Sequence, residues 1–319
     1  MRAVVIHEYG SPEKLTLTDL KTPAPGANEV LVRVRAAGVN PVDWKIRSGM
    51  LKWILWLKFP FVPGFDISGE VEATGPGVTR FRAGDPVYAL LGPPRAGGYA
   101  ELAVAPESAV ALKPRSLSHL EAASMPVAAL TALQAFRDLG HLQPGQRVLI
   151  NGASGGVGSF AVQIARALGG HVTAVCGPTN VDFVRGLGAD QVLDYTRDDF
   201  TSRAERFHVI LDAVAKSSFA RAREVLTTAG TYITTLPTVD VLLRGYALAP
   251  VLRLFGKKQR ARTLFARARS ADLEFLARLA DDGKLKPVID RVYPLEQVRE
   301  AHERSESERA RGKIVLDLG

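Results

Sequence analysis

Short hydrophobic runs, separated by glycine and proline, make up roughly the first 115 residues of the chain. In the segments EVLVRVRAAGV, DISGEVEATG and DPVYAL, apolar residues recur at alternate positions. This period is typical of strands that bury one face, and the Gly and Pro residues mark the turns between them. The pattern therefore predicts a β-rich N-terminal domain.

A different pattern begins near residue 118. Apolar runs such as RVLI, HVTAVC and HVILDA alternate with helical stretches such as GVGSFAVQIARALG, which indicates βαβ units and a parallel sheet. The tail returns to a helix, DLEFLARLADDG, followed by the extended segments KPVIDRVYPLE and GKIVLDL. We predict an α/β protein with a Rossmann-type, doubly wound parallel sheet domain over 118–267. A discontinuous β-rich domain is predicted from 1–117 with 268–319.

The composition indicates in which cellular compartment the protein is found. Cys176 is the only cysteine, which excludes an internal disulfide and a cysteine-based zinc cluster and suits a reducing compartment. The start, MRAVVIHEYG, lacks the apolar core of a signal peptide, and the run WILWL is far shorter than the roughly 20 residues that span a bilayer. We predict a cytoplasmic protein without a transmembrane segment.

The net charge of +8 is concentrated in residues 241–271, which contain many Lys and Arg residues and no acidic residue. Such a stretch can face nucleic acid, an anionic membrane or a polyanionic small molecule. We interpret it as a solvated helical face and predict no nucleic-acid partner, because it lacks the pattern of stacking platforms interleaved with basic residues. Peripheral contact with a membrane stays an alternative.

The sharpest motif is RVLINGASGGVGSFAVQIARALGGHVTAVC, residues 147–176. A buried strand leads into a glycine-rich turn and then directly into an amphipathic helix, and a second strand follows. Glycines allow close approach to a pyrophosphate, and a helix N-terminus presents free N–H groups to it. This predicts a dinucleotide site at Ala153, Ser154, Gly155, Gly156, Val157 and Gly158, in which Ala153 takes the place of the first glycine.

The end of the second strand indicates which nicotinamide cofactor is bound. An Asp or Glu there would accept hydrogen bonds from the ribose 2′-OH of NADH and repel the 2′-phosphate of NADPH. At this strand end the chain has Cys176, Gly177, Thr179 and Asn180, and none of them carries a carboxylate. We therefore predict NADPH, bound by these four residues, with Arg185 or the basic stretch as a further contributor. Asp182 is the competing candidate, as a displaced ribose ligand.

At this point the chain resembles the zinc-free quinone oxidoreductase branch of the medium-chain dehydrogenase/reductase superfamily. The resemblance is carried along nearly the whole chain by AAGVNPVDWKIRSG, PGFDISGEVEATGPGVTRFRAGDPVYAL, GGYAEL, AASMPVAALTALQAF, NGASGGVG, LGADQVLDY and GKIVLDL. It is strongest to chloroplast-envelope quinone oxidoreductase homologues and to reticulon-interacting mitochondrial relatives. The resemblance implies a GroES-like β-rich domain, a homodimer, and NADPH-dependent reduction of quinones or of the C=C bond of enones and enals.

The zinc ligands of the related alcohol dehydrogenases are missing from the matching positions. Asn40-Pro41-Val42 stands where those enzymes have a Cys, and Gly64-Phe65-Asp66 stands where they have Gly-His-Glu. Their further ligand Cys, just before the nucleotide fold, is absent as well. A catalytic zinc takes about three protein donors, so we predict no metal. Conjugated acceptors suit this arrangement because their own π-system spreads the charge when hydride arrives.

The resemblance also implies site residues. Asn40 lies beside the nicotinamide in the family pattern; the alternative is an Asn that satisfies its own turn. Asp43 and Lys45 alternate on an expected extended segment and so share a side, where they form either a carbonyl-binding pair or an ion pair at the cleft edge. Further cofactor contacts are expected at Thr131, Tyr195, Ala213, Thr234, Thr235, Leu236 and Lys313, the last being equally consistent with a solvated strand lysine.

All three tryptophans fall between residues 44 and 56, and two of them lie in the apolar run 51–61. Trp44, Trp53 and Trp56 are candidates for the wall or lid of a pocket for flat apolar acceptors, and burial in an ordinary core or contact with a membrane or partner are the alternatives. Two other functions stay open for the chain. One is a nucleotide-binding scaffold with little turnover, and the other is a peripheral membrane protein.

Overall fold

The computed structural model of the protein describes residues 1–53, 55–92, 96–247 and 258–319. They form two compact units. The first unit contains Met1–Leu130, Arg267–Gly283 and Pro287–Gly319, and the second contains Thr131–Ala266 and Lys284–Lys286.

The strands and helices follow the chain in this order. The strands are β1 (Arg2–Val5), β2 (Thr16–Asp19), β3 (Glu29–Val39), β4 (Asp66–Thr74), β5 (Pro86–Leu90), β6 (Leu102–Pro106), β7 (Val110–Leu112), β8 (Arg147–Asn151), β9 (His171–Cys176), β10 (Gln191–Asp194), β11 (Phe207–Asp212), β12 (Leu226–Thr234), β13 (Arg260–Thr263), β14 (Ile289–Pro294) and β15 (Lys313–Asp317). The α-helices are α1 (Pro41–Arg47), α2 (His119–Ala123), α3 (Pro126–Gln134), α4 (Gly156–Ala167), α5 (Val181–Gly186), α6 (Phe219–Ala222), α7 (Ser270–Asp281) and α8 (Val298–Glu306).

The first unit is built on a mainly antiparallel sheet in the order β14-β15-β3-β4-β5-β7, with β6 also paired to β3. Strand β3 is long because its hydrophobic alternation continues over Glu29–Val39, so it can pair with β4, β6 and β15. Helix α2 packs on this sheet through a buried cluster of Ala36, Ala123 and Val315. The sheet therefore brings the C-terminal strand β15 beside β3.

The second unit is a parallel sheet in the order β10-β9-β8-β11-β12-β13. The strand order reverses between β8 and β11, which makes this a doubly wound Rossmann sheet with its switch point there. Its strands are apolar on both faces, and Leu149, Val175, Ile210 and Tyr232 belong to one buried cluster. The predicted α/β fold class is confirmed.

The division between the units differs from the expected boundary at residue 117. It falls after Leu130, because α2 packs on the sheet of the first unit. The short segment Lys284–Lys286 groups with the second unit, where Gln163 donates to the carbonyl of Lys286 at 3.0 Å and accepts from its N–H at 2.8 Å.

Local structure corrects two expectations. Residues 41–47 form a helix and not an extended segment, because Pro41 takes the first helical position and the Asp43 carboxylate caps the backbone N–H of Asn40. The basic stretch is not one helical face: 241–247 is π-helical and β13 is a strand that pairs with β12. Residues 248–257, including Arg253 and Lys257, lie outside the described residues.

The described helices do not include one that is both long enough and apolar enough to cross a bilayer.

Candidate functional site

The glycine turn after β8 has a distinct reason for each of two glycines. Gly152 has φ +83°, a backbone conformation that side chains rarely adopt, and its N–H and that of Ala153 donate to the Val175 carbonyl at 3.1 and 2.9 Å. A Cβ on Gly158 would lie 2.1 Å from the Gly152 carbonyl oxygen, so only glycine lets α4 pack this closely on the turn. These two residues shape the turn itself.

Neither a positive φ nor close packing explains the glycine at position 155. Its φ is −80°, and a Cβ added there would meet one neighbouring atom, the Gly152 oxygen, at 3.5 Å, which is ordinary contact. The glycine therefore leaves open space beside the backbone at the N-terminus of α4, a helix of 12 residues. Such a half-buried helix N-terminus, with no Cβ in front of it, fits the pyrophosphate of a dinucleotide.

The end of β9 shows how the predicted 2′-phosphate region is arranged. Thr179 and Asn180 lie in a 3₁₀ turn, Pro178–Asn180, directly after the strand and Gly177. The Tyr195 hydroxyl oxygen lies 3.3 Å from where a Cβ on Gly177 would be, so this exposed ring covers the glycine. Cys176 is buried, and burial raises the pKa of its thiol to about 11, so it is not a reactive thiolate near neutral pH.

Asp182 and Arg185 engage each other beside this turn. Arg185 Nη1 donates to Asp182 Oδ1 at 2.6 Å, on the exposed first turns of α5. The competing carboxylate is thus held by an arginine on its own helix. A 2′-phosphate would meet a neutral pair here and not an unpaired negative charge.

At the switch point, a buried carboxylate that sequence reasoning missed ties the strand ends together. Asp212, at the end of β11, accepts hydrogen bonds from Asn151 Nδ2 at 2.9 Å, the Tyr232 hydroxyl at 2.8 Å and the Ser217 N–H at 2.9 Å. The signal was an Asp that closes the apolar run HVILD. Its bonds hold the loops where ligands of doubly wound sheets bind.

The predicted residues Ala213, Thr234, Thr235 and Leu236 lie at this carboxyl edge. Ala213 N–H donates to the Asn151 carbonyl at 3.1 Å, and Thr235 Oγ1 donates to the Ala213 carbonyl at 3.3 Å. Thr234 is buried, and its Oγ1 accepts from the Leu236 N–H at 3.3 Å. The residues expected from the ends of β11 and β12 therefore do lie next to one another.

The first unit contains a second arrangement, which we call the Asn40 network and define as Asn40, Asp66 and Lys313. Asn40 Nδ2 donates to Asp66 Oδ2 at 2.9 Å, the Lys313 ammonium donates to Asn40 Oδ1, and Lys313 Nζ lies 3.3 Å from Asp66 Oδ2. All three are buried, at the end of β3, the start of β4 and the start of β15. Lys313 is therefore not a solvated strand lysine.

The electrostatics of the Asn40 network follow from burial. Burial raises the pKa of Asp66, and the nearby Lys313 ammonium, the Asn40 amide and the Val127 N–H, which donates to Asp66 Oδ1 at 2.8 Å, partly offset this effect. The side-chain amide of Asn40 is hydrogen-bonded at both its oxygen and its nitrogen. Its orientation is consequently fixed by charged partners and not by its own turn alone.

Asp43 occupies a neighbouring buried position. Its Oδ2 accepts from the Asn40 backbone N–H at 2.6 Å and from the Tyr99 hydroxyl at 3.0 Å. Burial raises the pKa of Asp43 to about 7, and the charge of Asp66 adds to this. The sequence does not indicate this bond between Tyr99 and Asp43, which lie 56 positions apart.

The expected Asp43–Lys45 side-by-side arrangement is wrong. On a helix, residues two positions apart do not face each other. Lys45 is half-buried, and its Nζ lies 5.3 Å from the centroid of the Trp44 ring, whereas Asp43 points into the unit. The two residues therefore cannot act as one carbonyl-binding pair.

Arg47 and His302 are further buried polar residues that the sequence did not single out. Arg47 donates to Glu306, but its Nε and Nη1 have no hydrogen-bond partner among the described residues. Both ring nitrogens of His302 are likewise unbonded there, and burial, with the Arg47 charge, lowers the pKa of His302 to about 3. His302 is a neutral core residue whose ring meets Tyr99 edge-on at 5.7 Å.

The tryptophans do not share one environment. Trp44 is half-buried on α1, with its Nε1 buried, whereas Trp53 and Trp56 are 82% and 85% exposed. Burial in an ordinary core is therefore wrong for Trp53 and Trp56. Ile54, between them, lies outside the described residues. Thr131 is buried within α3.

No group of three or more His, Cys, Asp or Glu side chains with metal-binding geometry occurs in the part of the chain that the structure describes.

Comparison with protein families gives two matches. A model described as an alcohol dehydrogenase GroES-like domain matches residues 26–115, and one described as a zinc-binding dehydrogenase matches residues 187–316. The chain is also 36% identical to the chloroplast envelope quinone oxidoreductase homolog of Arabidopsis thaliana, over 99% of this chain and 98% of that protein. It is 37% identical to the mitochondrial NAD(P)H oxidoreductase RTN4IP1 of Homo sapiens, over 100% and 89%.

Two further similarities concern a reductase and a solved structure. The 2-methylene-furan-3-one reductase of Solanum lycopersicum is 33% identical, over 99% of this chain and 79% of that protein. The structure of the quinone oxidoreductase from Coxiella burnetii superposes with a TM-score of 0.88 at 32% identity, covering 100% of this chain and 99% of that one.

Proposed function

Because the chain belongs to the quinone oxidoreductase branch of the medium-chain dehydrogenase/reductase superfamily, and is thus an oxidoreductase, we propose that it reduces quinones with NADPH and without a metal. Reduction of the C=C bond of an α,β-unsaturated carbonyl compound is the second candidate, favoured by the similarity to a 2-methylene-furan-3-one reductase. The observation that carries the proposal is Gly155, the N-cap of α4, because neither a positive φ nor close packing requires a glycine there.

The preference for NADPH is supported by the turn after β9. Thr179 and Asn180 place a hydroxyl and a side-chain amide in this turn, and the nearest carboxylate on the following helix, Asp182, is paired with Arg185. A 2′-phosphate favours donors and is repelled by a free carboxylate. The proposed cofactor contacts are therefore those of the glycine turn, of Cys176 to Asn180, of Tyr195 and of the β11 and β12 ends.

Hydride transfer to a conjugated acceptor requires few catalytic groups from the protein. When bound, the nicotinamide supplies the hydride. The protein must orient the acceptor, hydrogen-bond its carbonyl oxygen and admit a proton, because a conjugated acceptor spreads the incoming charge over its own π-system. Buried dipoles that are already oriented serve this role without reorganisation.

Asn40 is the residue that we propose for positioning the nicotinamide ring or the acceptor. Its amide is held by Asp66 and Lys313, and each end of an amide has one further hydrogen-bonding position. A ligand would therefore meet a donor and an acceptor in a fixed orientation. Lys313 acts in this proposal through Asn40, as a buried charge that fixes the amide.

Asp43 and Lys45 have separate proposed roles. Asp43 holds the start of α1, through its bonds to the Asn40 N–H and the Tyr99 hydroxyl, and so keeps Asn40 in place. Lys45, half-buried beside Trp44, remains the candidate donor to an acceptor's carbonyl oxygen. Trp44, half-buried on α1, is proposed to supply aromatic surface for a flat acceptor, as apolar sites usually do.

The direct test measures NADPH and NADH oxidation with a quinone, a cyclic enone, a short enal and a saturated ketone, together with product analysis. We expect kcat/KM at least about tenfold higher with NADPH, which is a preference of roughly 1.4 kcal/mol. The conjugated acceptors should be reduced and the ketone should not. Reduction of the ketone would contradict the mechanism, and NADPH binding without any oxidation would favour a scaffold function.

A chelation experiment tests the metal-free part of the proposal. Activity should survive extended dialysis against a chelator, and purified protein should contain no stoichiometric zinc. Loss of activity on chelation, with recovery on adding zinc, would contradict it.

A further inference from the structure

The first unit exposes an unusual group of side chains between α1 and β4. Trp53 and Trp56 are the two most exposed large hydrophobic residues of the described chain, and Met50, Lys52 and Lys58 beside them are also exposed. We call these five residues the tryptophan patch. Large aromatic side chains normally contribute to cores and interfaces, so two exposed tryptophans in one segment indicate a binding surface.

The tryptophan patch is attached to the fold at both ends. At its start, the Met50 N–H donates to the Lys45 carbonyl at 3.0 Å, and at its end Phe61 and Ile6 exchange two backbone hydrogen bonds of 2.9 Å. The Phe59 ring also meets the Tyr9 ring edge-on at 5.0 Å. The exposed side chains are therefore presented by an anchored segment.

The charge of the tryptophan patch has one sign. The chain has no Asp or Glu between residues 44 and 65, and the Lys52 ammonium lies 5.2 Å from the centroid of the Trp53 ring. Glu8, on the segment that contacts Phe59 through Tyr9, is already paired with Lys14. The surface thus combines aromatic rings with two lysines, and the neighbouring acid is neutralised.

We propose that the tryptophan patch docks the protein onto a lipid bilayer that contains anionic lipids. Tryptophan is favoured at the depth of the lipid headgroups, because its ring is apolar and its N–H is polar. Lysines beside it attract anionic headgroups, and both contributions add in surface-bound proteins. This docking does not depend on the proposed reaction.

Two other occupants fit the tryptophan patch less well. A second copy of the chain in a two-fold contact would bring together two patches that each carry Lys52 and Lys58, and like charges oppose such an interface. A small acceptor is normally enclosed on most of its surface by a concave pocket. Trp53 and Trp56 project into solvent over more than four-fifths of their area.

Tryptophan emission gives a direct test, because all three tryptophans lie at positions 44, 53 and 56. Full-length protein is mixed with vesicles of phosphatidylcholine alone or with a third of phosphatidylglycerol. We expect the emission to shift to the blue and the protein to co-sediment with the anionic vesicles only, less so as salt rises.

Paired variants locate the binding surface. Trp53→Ala with Trp56→Ala should lower the vesicle partition coefficient at least about tenfold. Lys52→Gln with Lys58→Gln should lower it about fivefold for each lysine removed. The controls Leu112→Ala and Lys21→Gln remove an exposed apolar and an exposed basic side chain of the same unit, and should leave it unchanged. Circular dichroism establishes that each variant is folded.

Several results would overturn the proposal. They are equal binding to neutral and anionic vesicles, absence of binding, and binding that survives either double substitution, which would place the contact elsewhere. A blue shift that a quinone alone produces, without a response to vesicles, would assign the tryptophans to the acceptor. A lipid-independent shift that grows with protein concentration and with mass in sedimentation would assign them to a second copy.

Discussion

At the scale of single residues, the Asn40 network is the most informative feature of the first unit. An amide that is held by a carboxylate and an ammonium can present its remaining hydrogen-bonding positions in only one way. This orientation depends on charge inside the protein, where burial makes an unpaired charge expensive. The network should therefore be sensitive to removal of either charge, and its sensitivity can be measured.

We predict that Lys313→Met lowers the free energy of unfolding by about 3–5 kcal/mol, because Asp66 would stay buried without its ammonium partner. Urea unfolding at neutral pH measures this. Lys21→Met, at an exposed position, should change it by no more than about 0.5 kcal/mol. Adding Asp66→Asn to Lys313→Met should restore part of the loss. Equal effects of the two lysine substitutions would show that the buried pair does not matter.

A second residue-scale prediction concerns pH. The pKa of Asp43 is about 7 in the folded protein and near 3.8 without burial, so between these values the folded chain keeps a proton that the unfolded chain releases. Stability should therefore fall as pH rises from about 4 to 7, by on the order of 3 kcal/mol from this group. Asp43→Asn should remove that part of the slope, while Asp19→Asn, at an exposed position, should keep it.

His302 works in the opposite direction, so the variants must be compared. Its pKa of about 3 means that the unfolded chain takes up a proton below about 6.5 and the folded chain does not, which makes stability rise with pH over that window. With Asp43→Asn, this rising slope should become visible between pH 4 and 6. A constant difference between wild type and Asp43→Asn across pH 4 to 7 would refute the shifted carboxyl.

At the scale of elements, the β8–α4 connection separates folding requirements from ligand requirements. Gly152 and Gly158 are needed for backbone conformation and for close packing of the helix on the turn. Gly155 is needed for neither, although the three look alike in the sequence. The connection therefore contains both a structural glycine and a glycine left free for a ligand, and substitution by alanine can tell them apart.

We predict opposite consequences for two alanine substitutions in this element. Gly158→Ala should lower stability by at least about 1–3 kcal/mol, because its Cβ would lie 2.1 Å from a backbone oxygen. Gly155→Ala should cost less than about 1 kcal/mol, yet weaken NADPH binding about tenfold or more by placing a methyl group where the pyrophosphate would approach. Thermal unfolding and NADPH titration by fluorescence measure the two effects. An unchanged NADPH affinity in Gly155→Ala would show that the cofactor does not bind at this turn.

At the scale of the whole molecule, the edge of the six-stranded sheet bears on association. The six-stranded sheet ends at β13, which pairs with β12 through one edge. An edge strand offers a row of backbone donors and acceptors for another chain. The homodimer implied by the family resemblance remains a prediction, and we expect it to form along this edge.

We predict a particle of twice the 34.4 kDa chain mass in sedimentation at micromolar concentration, in the absence of lipid. The mass should persist at high salt, because backbone pairing along an edge does not depend on surface charge. Trp53→Ala with Trp56→Ala serves as the control and should leave the mass unchanged, since the tryptophan patch is proposed to meet lipid. A monomer at all accessible concentrations would contradict the dimer.

The sequence by itself determined the features that local pattern controls. Hydrophobic period gave β3 and β9 with the bounds found in the structure, and the glycine turn between a strand and a helix predicted the dinucleotide region. The prediction of an extended segment at 41–47 was wrong. A proline at the first helical position and a capping Asp43 produce a helix there, from residues that also suit an extended segment. Local pattern was ambiguous there, and the hydrogen bond to the Asn40 N–H decided the outcome.

Only the tertiary structure decided which polar residues meet. Asn40 and Lys313 are 273 positions apart, and they become neighbours because β15 pairs with β3. Nothing in the local sequence distinguishes Asp212, Tyr99 and His302, which folding buries beside specific partners. Periodicity records which face of an element is buried, whereas the partner across that face is set by strand order and register. The chemistry expected of the chain could thus be read from its sequence, and the atoms that hold Asn40 could not.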